Sequence, residues 1–323
     1  MTRTPLPSDR HDRPVAVTGS SGFLGRAVVA RLARAGCLVR AIARTDCAVA
    51  GAAEVRTAPD LGAEAERMVA GCRAVVNCAG RAHIMRREDP GAAEAAFIAV
   101  NRDLAVRLAE AARWAGAERF VQISSVAALA SRTLPGATVD DGDVPAPSGP
   151  YGRAKLEADI ALAAMASPRF APISLRPPAI YGPGAPAWFG ALDRAARLGL
   201  PLPLGRIENR RSFVFVGNVA DAVATALASD VTGAFVVTEG PPVSTARLYD
   251  GLARLYDHRN RVWNFPPALV ASAARLVLGG RADSLLGDAA FDGSAFAASM
   301  AWTPPFSMDE GLRITVAGND AEA

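Results

Sequence analysis

Tyr151 and Lys155 stand four residues apart in Pro-Tyr-Gly-Arg-Ala-Lys-Leu-Glu-Ala, residues 150–158. On a helix that spacing puts both side chains on one face. A tyrosine hydroxyl titrates near about 10 when unperturbed. A fixed ammonium beside it favours the phenolate and brings it toward the range where general acid/base catalysis works. Lys155 is the only lysine in the chain; apart from three histidines, every other cationic side chain is arginine. A guanidinium is a planar fork with no accessible neutral state, whereas an ammonium is a compact point charge. A site that needs a point charge beside a phenol would tell the two apart. Ser124-Ser125 closes the apolar run Arg119 to Ile123. In a parallel sheet, ligands lie beyond the carboxyl ends of the strands, where a hydroxyl can bond the substrate oxygen that Tyr151 protonates or deprotonates. Ser125, Tyr151 and Lys155 are therefore the expected catalytic set, for chemistry at a carbinol or carbonyl carbon.

Thr18-Gly19-Ser20-Ser21-Gly22-Phe23-Leu24-Gly25 follows the apolar run Val15 to Thr18 and opens a helical pattern. Glycines in such a strand–turn–helix unit permit the tight turn, let a pyrophosphate approach the backbone, and allow close helix–strand packing. The helix start adds free N–H groups and a partial positive charge. Dinucleotide binding is the expectation. The next strand ends at Arg44, and Val39 to Arg44 holds no acidic residue. An acid there would bind an adenosine ribose, whereas an arginine suits the 2′-phosphate of NADP. NADP is favoured, with NAD as the alternative.

The elements that must position these groups alternate. Strands are expected at Val15–Thr18, Leu38–Ala43, Glu54–Thr57, Ala74–Cys78, Arg119–Ile123 and Ala171–Leu175, and helices at Phe23–Ala35, Ala92–Ala115 and Tyr151–Met165. Alternation of this kind implies right-handed βαβ units and a parallel sheet covered on both faces. Residues 1–13 are polar and read as a tail. Residues 14–180 form the dinucleotide-binding domain. Past Tyr181, Pro and Gly become dense, so residues 181–323 form mainly a smaller substrate lobe, with 212–227 returning to the large domain.

The 323 residues are half hydrophobic and carry a net charge of only +3. No basic stripe of a nucleic-acid binder is present. Cys37, Cys47, Cys72 and Cys78 fit no zinc or redox spacing and read as free thiols of a reducing cytoplasm. No His/Asp/Glu cluster points to a metal. The N-terminus lacks the apolar segment of a signal peptide. Ala268 to Gly280 is apolar, too short to span a bilayer, and contains Arg275. It reads as a lobe helix, with contact to a membrane surface as the other possibility, and no stable insertion is expected.

From about Pro14 to Val316 the chain resembles the extended short-chain dehydrogenase/reductase family, in its NAD-dependent epimerase/dehydratase branch. The glycine turn, Asp60-Leu61, Asn77-Cys78-Ala79-Gly80, Asn101, Ser124-Ser125, Tyr151-x-x-x-Lys155 and Arg176 to Gly184 stand in the family's order. The resemblance implies an α/β, Rossmann-like doubly wound parallel sheet with a smaller C-terminal α/β substrate lobe, in a homodimer. It implies that Gly19, Ser21, Gly22, Phe23, Leu24, Gly25 and Arg44 hold the cofactor. Asp60 and Leu61 would lie near its adenine. Cys78, Ala79, Gly80, Arg81 and Ala82 would line it, together with Asn101, Tyr151, Lys155 and, at the nicotinamide end, Pro178. Ser125 and Arg211 would meet the substrate, Arg211 on a nucleotide diphosphate, where a bidentate fork matches phosphate oxygens. Trp188 stands where relatives place an asparagine against uridine, and His83 lies near the substrate side. Residues 150–158 and Pro-Leu-Pro-Leu-Gly (201–205) are most similar to bacterial enzymes of surface-polysaccharide pathways that handle UDP-N-acetylhexosamines, including 4-keto-6-deoxy-sugar reductases and 4-epimerases. Dehydration ranks behind these, because no acidic pair stands in Ser-Ser-Val-Ala. Two alternatives remain open from sequence: reduction of a non-nucleotide ketone, as in dihydroflavonol or hydroxysteroid reductases, and non-catalytic dinucleotide sensing.

Overall fold

Four-residue apolar strands with every residue buried need cover on both faces, and the fold supplies it. The computed structural model describes residues 12–81, 90–278 and 282–321. Its main sheet contains β1 (Val15–Thr18), β2 (Val39–Ala43), β3 (Glu54–Thr57), β4 (Ala74–Asn77), β5 (Arg119–Ile123), β6 (Ala171–Arg176) and, after β7 (Ala179–Tyr181) and β8 (Phe213–Phe215), β9 (Gly233–Val236). The order is β3-β2-β1-β4-β5-β6-β9, and every pairing is parallel. This is a Rossmann-like doubly wound α/β fold.

Side chains alternate across the pleat. Val15, Val17, Val76, Val121, Ile123 and Leu175 face one layer. There they meet α1 (Phe23–Arg34) and, later in the chain, Val216–Leu227. Ala16, Val75 and Phe120 face the other layer. That layer holds α2 (Ala65–Val69), and Leu108 and Leu162 from the helices that follow it.

The helix expected over Ala92–Ala115 is interrupted. It runs as α3 (Pro90–Ile98), a π-helical turn at Ala99–Asp103, then α4 (Leu104–Trp114). One extra residue per turn rotates the helix locally and re-aims what it carries, a device frequent at functional sites. Here it carries Asn101, which is buried. Helix α5 (Pro150–Ala163) begins with proline at its first position, where a missing N–H costs nothing.

The lobe is built on β7 paired in parallel with β8. Around that pair pack α6 (Ala187–Arg197), then, beyond α7 (Val216–Leu227), α8 (Thr245–Leu255). The chain continues through α9 (Pro267–Leu278), α10 (Ala282–Leu286), α11 (Ser294–Met300) and α12 (Met308–Ala321). The segment 212–227 divides: β8 stays with the lobe, while α7 packs on α1. Arg31 pairs with Asp221 at 2.8 Å, and Asp221 also accepts from Trp302 Nε1 at 3.0 Å. Phe296 and Trp302 fill the sheet's core beside β9. Among the described residues no helix is long and apolar enough to cross a membrane.

Candidate active site

The strand order reverses between β1 and β4, so a crevice opens at their carboxyl ends. The glycine turn stands on one side of it. Gly19 adopts φ +63°, and a Cβ there would sit 2.8 Å from Ala79 N. A Cβ on Gly25 would overlap the Gly19 carbonyl oxygen. Gly22 caps α1 with extended backbone and no side-chain hydrogen bond. The first N–H groups of α1 are thus left for an anion. Ser20 Oγ is buried without a partner. A pyrophosphate fits this turn. Ser21, Phe23 and Leu24 are half-buried around it. Arg44 is exposed just past β2.

On the other side, Cys78 and Ala79 are half-buried and Gly80 is exposed. Asn101 grips the backbone of Arg81 at both ends: Oδ1 accepts from Arg81 N at 3.1 Å, and Nδ2 donates to Arg81 O at 3.0 Å. A Cβ on Gly80 would stand 3.2 Å from Asn101 Oδ1 and 3.5 Å from Lys155 Nζ. The glycine therefore keeps open the space that these two groups face. Ala82 and His83 lie outside the described residues. Asp60 is exposed and its Oδ1 accepts from Ala63 N at 3.0 Å, capping its own turn, while Leu61 packs on the sheet's second layer. Pro178 is buried between β6 and β7.

A row of polar side chains, not foreseen from sequence, runs under the crevice. Thr18, Asn77 and Gln122 are register partners on β1, β4 and β5. Thr18 Oγ1 donates to Asn77 Oδ1 at 2.5 Å, and Asn77 Nδ2 donates to Gln122 Oε1 at 2.8 Å. Gln122 Nε2 then donates to Ile123 O at 2.9 Å, the same carbonyl that takes Lys155 Nζ at 2.7 Å. All three side chains are buried and paired, which fixes their geometry. The available signal was a polar residue interrupting each apolar strand near its end.

Ser125 caps the short turn Val126–Ala128, accepting from Ala127 N at 3.2 Å. Its hydroxyl also hydrogen-bonds Tyr151. Phe97 meets the Tyr151 ring edge-on at 5.9 Å. Ser125, Tyr151 and Lys155 are thus gathered at the carboxyl end of β5. Their electrostatics differ from the expectation. Burial pushes the Tyr151 phenol above its ordinary value, the Ser125 bond works against that, and Asp159 adds to it. Lys155 Nζ donates to Ile123 O at 2.7 Å, and burial lowers Lys155 itself to about 8. Burial raises the Cys78 thiol to about 12 despite the nearby Lys155.

Asp159 extends the helical face of Tyr151 and Lys155 by another four residues, a spacing legible in sequence but not used. Its Oδ2 accepts from Ser124 Oγ at 3.0 Å and Arg176 Nε at 2.9 Å, and Arg176 also reaches Asp141 at 3.3 Å. Burial nonetheless raises both carboxyls, Asp159 and Asp141.

In the lobe, Arg211 donates to Gly287 O at 2.9 Å, and burial lowers it to about 10. Trp188 is half-buried against Phe189 and Phe213. Among the described residues no His/Cys/Asp/Glu group is arranged to hold a metal.

The chain is similar to known proteins in sequence and in fold. A UDP-glucose 4-epimerase of Vibrio cholerae is 31% identical over 318 residues, covering 94% of each chain. A ceramide reductase of Caulobacter vibrioides is 32% identical over 274 residues, 81% of this chain and 77% of that protein. The UDP-N-acetylglucosamine 4-epimerase structure from Bacillus cereus superposes with a TM-score of 0.76 at 17% identity, covering 95% of this chain and 96% of that one. With the glycine turn, the parallel sheet and the Ser/Tyr/Lys cluster in place, residues 15–237 match the NAD dependent epimerase/dehydratase family model, and the chain belongs to that family.

Proposed function

We propose that the chain catalyses hydride transfer at C4 of a UDP-linked hexose or N-acetylhexosamine, or of its 4-keto-6-deoxy derivative, with Tyr151 as acid/base. The observation that carries this is the Ser125–Tyr151 hydrogen bond beside Lys155, at the carboxyl end of β5. Bound nicotinamide supplies the hydride acceptor and donor. Tyr151 Oη takes the proton of the 4-hydroxyl as the carbinol is oxidised and returns it when the ketone is reduced. Ser125 Oγ holds the sugar oxygen within reach of that phenol. Lys155, anchored on Ile123 O, and Asn101, fixed on Arg81, hold the ribose edge of the cofactor site. Gly19, Gly22 and Gly25 bring backbone N–H groups against the pyrophosphate. Arg211, at about 10, is charged at neutral pH and suits a diphosphate in the lobe.

Similarity to the Vibrio epimerase along the whole chain favours epimerisation, in which the cofactor is kept between half-reactions. Arg44, past a strand end with no acid, favours NADP over NAD, and NADP favours net reduction. Cofactor carried through purification separates the two: tightly held NAD supports the epimerase, and release of NADP on turnover supports the reductase. Exposed Trp114 and Ile160, on the adjacent helices α4 and α5, suit a homodimer. Four unpaired thiols suit a cytoplasmic enzyme.

A second reading is reduction of a non-nucleotide ketone. It is favoured by the apolar Trp188 in the lobe and by similarity to the ceramide reductase. Thermal stabilisation by UDP and UDP-N-acetylglucosamine supports the sugar reading; stabilisation by apolar ketones alone replaces it.

A further inference from the structure

Gly152 follows the catalytic phenol and lies buried in the first turn of α5. A Cβ there would overlap Ala127 O and stand 3.1 Å from both Ala127 C and Pro147 Cβ. The helix is therefore packed backbone against backbone on the turn Val126–Ala128. Ser125 caps that turn: its Oγ accepts from Ala127 N at 3.2 Å, and its carbonyl oxygen accepts from Ala128 N at 3.0 Å. Residue 127 thus touches both partners. Its N–H holds the Ser125 side chain, and its carbonyl oxygen rests on Gly152. Each side of the contact carries a catalytic hydroxyl close by in the chain, Ser125 two residues before Ala127 and Tyr151 directly before Gly152.

Neither side yields freely. Leu129, just past the turn, is buried with Val236, Ala289 and Phe291, and its carbonyl oxygen accepts from Ala146 N at 2.7 Å. On the helix, Lys155 is anchored to Ile123 O and the Tyr151 ring meets Phe97. The separation at Gly152 therefore sets the gap that the Ser125–Tyr151 hydrogen bond closes. Such an O–H···O bond spans about 2.5–3.0 Å. A methyl at 152 must part the two backbones by roughly 1 Å before its contacts relax, which is more than that bond tolerates. We propose that Gly152 is a positioning residue: its missing side chain lets α5 close on the Ser125 turn, and that approach keeps Ser125 Oγ within bonding distance of Tyr151 Oη. The inference rests on the roles given above to Ser125 and Tyr151. Gly149 supplies the contrast. It stands three residues earlier at the N-cap of α5 with φ −152°, and among the described residues nothing lies within 4 Å of a Cβ there.

The test compares Gly152→Ala with Gly149→Ala in the full-length, cofactor-saturated protein, where bound ligand offsets the strain of one methyl. With a UDP-hexose as substrate, Gly152→Ala should lower kcat by about 10²-fold with KM and cofactor Kd near wild type, while Gly149→Ala turns over like wild type. Because Gly152 acts through Ser125, adding Gly152→Ala to a Ser125→Ala background should cost nothing further. A second readout needs no substrate. The chain has four tyrosines, so 13C-tyrosine labelling gives four ring signals, of which Tyr151 is the one lost in Tyr151→Phe. That signal should move in Gly152→Ala as it moves in Ser125→Ala, and stay in place in Gly149→Ala. Wild-type kcat in Gly152→Ala, losses that add to those of Ser125→Ala, an equal loss in Gly149→Ala, or an unmoved Tyr151 signal would overturn the proposal. If wild type converts no UDP-hexose, the proposed function falls, and the Tyr151 signal decides the role of Gly152 by itself.

Discussion

Gly25→Ala tests whether the first turn is built for close approach. An added Cβ would overlap Gly19 O and lie 2.8 Å from Gly19 C and 2.9 Å from Ser20 Cα. Relaxed carbon–carbon contacts lie near about 3.5–4 Å, so α1 must retreat from the turn by roughly 1 Å. All three atoms are backbone, so no side chain can swing aside. Overpacking of this kind costs about 1–3 kcal/mol, and the absence of a flexible neighbour places this case near the top. With an unfolding entropy of about 2.1 cal/mol/K per residue, 3 kcal/mol lowers Tm by roughly 4 °C in a chain of 323 residues. The same retreat pulls the α1 N–H groups from the phosphate site, so cofactor affinity should fall about tenfold or more. Gly36→Ala is the control. Gly36 has φ +81° with nothing within 4 Å of a Cβ, so alanine there costs about 1–2 kcal/mol of left-handed strain and should leave cofactor binding intact. Calorimetry and cofactor titration read both variants. A Gly25→Ala protein with wild-type Tm and cofactor Kd would refute the packing argument.

Because Lys155 is the only lysine, 13C-lysine labelling gives one titrating resonance, whose midpoint should fall near pH 8 in cofactor-free protein. A midpoint above 10 would show that burial does not depress it. The sign for stability follows: between about 8 and 10.5 the unfolded chain holds a proton that the folded chain has shed, so stability rises with pH there. Cys72 and Cys78, both raised by burial, oppose this above their ordinary 9.0, so urea melts belong in a Cys72→Ala/Cys78→Ala background, where Lys155→Met should remove the rise. Glu239→Ala strands Phe215 N and removes one of two acceptors from Asn218 Nδ2 and from the Tyr181 hydroxyl, and should cost about 1–3 kcal/mol by denaturant melting. Asp159→Ala leaves Arg176 buried with half of its charge pairing, and should cost about 3–5 kcal/mol. A loss under 1 kcal/mol in either variant would show the network to be dispensable.

The Tyr151–Lys155 pair and the glycine turn were legible because each is local: four residues of helix join Tyr151 to Lys155, and one strand–turn–helix unit carries Gly19 to Gly25. What escaped depends on distant partners. Thr18, Asn77 and Gln122 become a row only when β1, β4 and β5 align. The π-helical turn at Asn101 has no periodic signature within a helix rich in alanine. Strand β9 is as short as β1 and β4, but it opens on Gly-Ala and is only half-buried over its first three residues at the sheet edge, so it lacks their continuous apolar run. The direction of the Tyr151 shift also needed coordinates, because burial sets it and burial of one phenol is not written in local spacing.

The most direct test is turnover of UDP-hexoses and UDP-N-acetylhexosamines by wild type and Tyr151→Phe, with cofactor supplied and products resolved by NMR. The account predicts C4 conversion by wild type and a loss of about 10²–10⁴-fold in the variant, with cofactor binding retained. Undiminished conversion by Tyr151→Phe would contradict it.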